Sequence, residues 1–140
     1  MFTCSRYLVS LIAGSMLLTG CAEVRKLTYP PQFVYVDKER LQGSMHRMAA
    51  AMGRLDTLVA ADSLGASAQT EILAQLDVID EAAHELSGGK ALTNHLLLDE
   101  HMAQFNADVA KARLMARSSP PNYYYAGRLS GSCSACHQFR

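Results

Sequence analysis

Leu41-Gln42-Gly43-Ser44-Met45-His46-Arg47-Met48-Ala49-Ala50-Ala51-Met52-Gly53-Arg54-Leu55-Asp56-Thr57-Leu58-Val59 is the stretch that decides how this chain folds. Within it Leu41, Met45, Met48, Met52, Leu55 and Val59 recur at alternating steps of four and three. That rhythm sets them along one face of an α-helix. Asp37 just upstream suits an N-cap, while Arg40 stands where a full capping box needs Glu or Gln. The pattern predicts a helix over residues 37–61. Gly53 interrupts it at a cost of up to about 1 kcal/mol relative to Ala. A close approach of another helix, or of a bound group, would account for a glycine there.

The same rhythm recurs further along. Asp62-Ser63-Leu64-Gly65 breaks the chain, and Ile72, Leu76, Ile79, Ala83 and Leu86 then mark a helix over residues 67–86. Ser87-Gly88-Gly89 stops it, with glycine suited to a left-handed C-cap. Leu98, Met102, Phe105, Val109, Ala112 and Ala116 mark a third helix, capped by Thr93 or Asn94 and running to residue 117. Lys111, Arg113 and Arg117 fall near its C-terminus, where the helix dipole favours cations. Ser118-Ser119-Pro120-Pro121 breaks it. Tyr125, Leu129, Ser132, Cys136 and Phe139 then mark a fourth helix over residues 122–139. Only Phe33-Val34-Tyr35-Val36 is strand-like, and it is too short to build a sheet. Four amphipathic helices joined by short breaks predict an all-α protein, an antiparallel four-helix bundle. The seams repeat at about 3.5 residues, as slightly supercoiled bundles require.

With 140 residues and 49% hydrophobic content, the chain has material for one domain with a real core. Its 13 basic and 13 acidic residues cancel, and aromatic residues are sparse, so nothing points to nucleic acid.

The fourth seam ends in Cys133-Ser134-Ala135-Cys136-His137, the C-x-x-C-H pattern of covalent c-type haem attachment. On a helix, cysteines three apart project from nearly the same face. One turn can therefore bond both vinyl edges of the ring through thioethers, and the adjacent His137 can offer an imidazole nitrogen to the iron. Zinc ribbons and redox dithiols also contain C-x-x-C. Zinc needs a second cysteine pair, which is missing here. A redox dithiol normally opens a helix after a strand, whereas this motif closes a helical chain.

Residues 1–20 look like an export signal: Arg6 supplies a positive start, and the apolar run from Leu8 to Leu18 is short for a membrane span. Leu18-Thr19-Gly20-Cys21 resembles the lipobox of bacterial lipoproteins. That resemblance implies cleavage before Cys21, which then bears the lipid, and a periplasmic protein anchored to a membrane. Ala22 in place of Asp favours the outer membrane. Cys4 leaves with the signal, so Cys133 and Cys136 are the thiols left for chemistry. Residues 21–36, with Pro30-Pro31, read as a tether, and residues 37–140 as the haem-binding domain.

A terminal C-x-x-C-H on the last of four helices, together with Met48-Ala49-Ala50-Ala51-Met52-Gly53-Arg54-Leu55, resembles the class II cytochromes c, the cytochrome c-prime family. The likeness spans residues 37–140. It implies a single haem c packed near one end of the bundle, between the first and last helices. The iron's sixth position then faces the first helix, about two turns before the Gly53-Arg54 pair, which falls on Met45. A thioether there implies low-spin iron that passes single electrons to redox partner proteins. Met48 and Met52 are the alternatives on the same face. His95 extends the third seam inward and offers a bis-histidine alternative, while His46, His84 and His101 lie off their seams. Family members with an apolar residue at the sixth position leave the iron open to NO or CO. If Met45 only fills the core, this chain is such a gas binder. The family places an arginine one turn before the distal residue. Leu41 occupies that place here, and the adjacent Arg40 is the candidate contact for a haem propionate. Phe139 and Arg140 come one residue earlier than the family's aromatic and basic pair. Homodimers are common in the family, but no apolar stripe in the sequence demands one. No enzymatic turnover is expected.

Overall fold

The computed structural model describes residues 30, 32–61, 66–87 and 92–137. Helical residues make up 78% of it, with four α-helices. The order is β1 (Phe33–Val34), α1 (Lys38–Val59), α2 (Ala66–Ser87), β2 (Leu92–Thr93), α3 (Leu96–Ala116), a 3-10 turn (Ala126–Arg128) and α4 (Leu129–His137). The expected signal, Cys21, the breaks at 62–65 and 88–89, and the Phe139-Arg140 pair lie outside the described residues.

α1 begins as its sequence requires. The Asp37 carboxylate accepts a 2.7 Å hydrogen bond from the Arg40 backbone N–H, filling one of the donors that a helix start leaves orphaned. Its most buried residues are Ser44, Met48, Ala51, Met52 and Leu55. Leu41, Met45 and Val59, at the edges of the expected seam, are half-buried. In α2 the whole seam is inside: Ile72, Leu76, Ile79, Ala83 and Leu86 are each 0% exposed. In α3, Leu98, Met102, Val109, Ala112 and Ala116 are buried and Phe105 is half-buried. Such period matching stabilises a helix mainly through the face it buries, at roughly 1.5–3 kcal/mol per large apolar side chain.

Polar clips join the helices. Arg47 pairs with Glu85, which also accepts from Ser44 Oγ at 3.1 Å, linking α1 to α2. Arg113 pairs with Asp77 at 2.7 Å and Asp80 at 2.5 Å, linking α3 to α2.

Three expectations are corrected. The fourth helix does not start at residue 122. Asn122 Oδ1 instead accepts from the Tyr124 N–H at 3.0 Å, a local side-chain turn that competes with helix, and a 3-10 turn follows before α4 starts at Leu129. Gly53 has open space where a Cβ would stand, so no close approach of another helix explains it; the close helix contact is at Gly127, where a Cβ would meet Val59 Cγ1 at 3.1 Å. The folded part also begins before residue 37. Phe33 and Val34 pair in parallel with Leu92 and Thr93, and Val36 is fully buried. Asn94 holds the Val36 backbone from both sides, accepting from its N–H at 2.7 Å and donating to its carbonyl at 2.9 Å.

The core is two clusters. One joins Met52, Leu55, Leu76, Ile79, Val109 and Leu129. The other joins Val36, Met48, Ala82, Leu86, Leu98 and Met102, with Leu41, Met45 and Phe105 packed against it.

Candidate functional site

A cavity of about 820 Å3 lies beside the second cluster, bounded by three helices. α1 contributes Leu41, Gln42, Met45, His46, Met48 and Ala49. α3 contributes His101, Met102, Gln104, Phe105 and Asp108, and α4 contributes Ser132, Cys133, Ala135, Cys136 and His137. Its volume lies within the ~300–1,000 Å3 range of cofactor pockets.

The helical period explains which side chains meet there. Ser132, Cys133, Cys136 and His137 fall within two turns of α4 and turn one face to the cavity. Met45 and Met48 do the same from α1, and His101 and Phe105, four apart, from α3. Asp108 accepts from Gln104 Nε2 at 2.9 Å and from Ser132 Oγ at 3.3 Å, which ties α3 to α4 at the cavity wall.

Cys133 and Cys136 form no disulfide with each other. Partial burial pushes the Cys133 thiol above its usual value, and the Asp56 carboxylate adds to the rise. Burial likewise raises Cys136, followed by Cys133 itself and Glu100. Redox C-x-x-C pairs shift the opposite way, because a nearby cation or helix N-terminus lowers one thiol. Among the described residues, no group of three or more His, Cys, Asp and Glu side chains is placed to hold a metal ion.

Cys133, Cys136, His137, Met45 and Met48 thus share one cavity. The remaining candidates lie elsewhere. Met52 is 5% exposed and belongs to the first core cluster. His95 does not point into the cavity: its Nε2 is 3.0 Å from the Val36 carbonyl, at the start of α3. Arg40 donates to the Glu85 backbone carbonyl at the end of α2 and does not line the cavity. The contact has a simple cause, since the orphaned carbonyls of a helix end attract a guanidinium. His46 and His101 lie off the seams of their helices, yet both line the cavity. A cavity this wide takes more than one stripe of a helix, and the adjacency of His46 to Met45 was the available signal.

Comparison of the chain with family models, with curated proteins and with solved structures finds no match.

Proposed function

We propose that this chain is a monohaem c-type cytochrome that carries single electrons at the cell envelope. In this reading the four helices form an antiparallel bundle with haem near one end, and lipid on Cys21 holds the protein to a membrane. The observation that carries the proposal is the convergence of Cys133, Cys136 and His137 from α4 with Met45 from α1 on one largely apolar cavity.

The residues fit the group. Cys133 and Cys136 would hold the ring through two thioethers, and His137 would ligate iron from the α4 side. Met45 would ligate from the α1 side, with Met48 as the alternative inside the same wall. An iron held by a porphyrin needs one or two protein ligands rather than a cluster of three. Bound haem would supply a one-electron couple. The chain's own part is to orient the ring between α1 and α4 and to keep water from it with Leu41, Met102 and Phe105, which raises or lowers the potential through burial.

A second reading, a five-coordinate binder of NO or CO, draws on a specific observation: Met45 packs against the second core cluster, as a filling residue does. Absorption spectra of both oxidation states, with and without carbon monoxide, separate the two. A six-coordinate carrier gives a low-spin spectrum with a weak band near about 700 nm and slow or no carbon monoxide binding, as sulfur ligation implies. Rapid, complete binding assigns the gas reading.

A further inference from the structure

We infer that an apolar patch of Tyr35, Leu92, Leu96 and Leu97 rests on the lipid surface that holds Cys21. The inference depends on the proposed lipidation and goes beyond it by assigning a face and an orientation. Tyr35 is 50% exposed, Leu92 42%, Leu96 79% and Leu97 40%. Single exposed apolar residues are ordinary, but several brought to one place mark a surface that meets something apolar. All four belong to segments that one knot of structure joins. Leu92 pairs with Phe33 in the short ladder, Tyr35 lies between that ladder and Val36, and Asn94 and His95 hold the Val36 backbone just before Leu96 opens α3. The other large exposed residues lie away from this knot: Val78 is on α2, Leu114 is near the far end of α3, and Tyr124 precedes the 3-10 turn.

The chain itself names the occupant. Eleven residues lead from Cys21 to Gln32. Fully extended, they reach at most ~40 Å. Gln32, three residues before Tyr35, therefore stays within that reach of the bilayer whenever Cys21 is anchored. Arg25 and Lys26 on that segment suit anionic headgroups, and Tyr35 has the ring-and-hydroxyl character of interfacial residues. Two acyl chains already suffice for anchoring, so the patch sets orientation rather than affinity. Its consequence for the cavity is direct. Leu97 stands one helical turn before His101, and Lys38 one turn before Gln42, and both His101 and Gln42 line the cavity. Seating the patch brings this end of the cavity close to the headgroups, which favours a membrane-resident electron partner.

The test uses the lipidated, haem-loaded protein reconstituted in phosphatidylethanolamine and phosphatidylglycerol vesicles, followed by flotation and by hydrogen exchange read with mass spectrometry. The Cys21→Ser protein in solution is the reference. Vesicles should slow exchange over residues 92–98 by about tenfold or more, with α2 unchanged. The Leu96→Glu/Leu97→Glu protein should still float but lose that protection. Flotation without protection overturns the patch and leaves the anchor standing, whereas failure to float overturns both. Protection that appears without vesicles and grows with protein concentration assigns the patch to a second copy and also overturns the inference.

Discussion

Leu129→Ala probes the joint on which the site depends. α4 is nine residues long, and Leu129 is its one buried residue, 2% exposed. Isolated helices of this length are marginal in water, so α4 holds its place through Leu129 and through the 3.3 Å contact from Ser132 to Asp108. Removing a buried leucine typically costs about 2–5 kcal/mol. A loss near 3 kcal/mol corresponds to a fall in Tm of roughly 10–15 °C for a domain of this size. Leu76→Ala is the comparison, because Leu76 is 0% exposed but lies away from the cavity. Thermal unfolding by far-ultraviolet circular dichroism should show similar losses for both. Only Leu129→Ala should also broaden or shift the Soret band, since it loosens the helix that carries Cys133, Cys136 and His137. A Leu129→Ala loss below about 1 kcal/mol, well under the usual range, would refute the reasoning, as would an equal Soret change in Leu76→Ala.

Met45→Ala should abolish the sulfur band while Met52→Ala leaves it intact and costs about 2–5 kcal/mol in denaturant unfolding, because Met52 is core rather than cavity wall. Asp37→Ala should cost about 1 kcal/mol by removing the cap on Arg40 N–H, read as a lower Tm. Glu85 carries a pH dependence. Its hydrogen bond from Arg47 holds its carboxyl below the usual range against the opposing effect of burial, with Ser44 helping. A depressed folded value stabilises the protein above the unfolded carboxylate's range and loses that contribution as pH falls through the folded one. Glu85→Gln should therefore lower Tm at neutral pH, and the gap from the native protein should close on acidification. With side chains 37% and 50% exposed, the pair is worth no more than about 1 kcal/mol.

The parts of this fold that periodicity governs were legible in the sequence. Ile72 through Leu86 lie where their spacing put them, and Asp37 caps α1, because both depend on residues within a few positions of each other. What escaped depends on distant partners. Val36 is core because Asn94 reaches it across 58 positions, which no local pattern reveals. Arg40 is drawn to a carbonyl on α2 rather than to the cavity. The start of α4 escapes the sequence pattern for a different reason: Tyr125 and Leu129 keep helical spacing, yet Pro120-Pro121 and the Asn122 side chain favour a turn first. At the site, Cys133, Cys136 and His137 were legible because one motif contains them. Met45 followed from a family likeness, while His46 and His101 emerged only once three helices were brought around one cavity.

The central claim is covalent haem on Cys133 and Cys136, and the most direct measurement is a haem stain of the denatured, exported protein alongside its intact mass. The account predicts that one haem stays with the polypeptide after denaturation and is lost from the Cys133→Ala/Cys136→Ala protein. A purified native chain whose mass and stain carry no haem would contradict it.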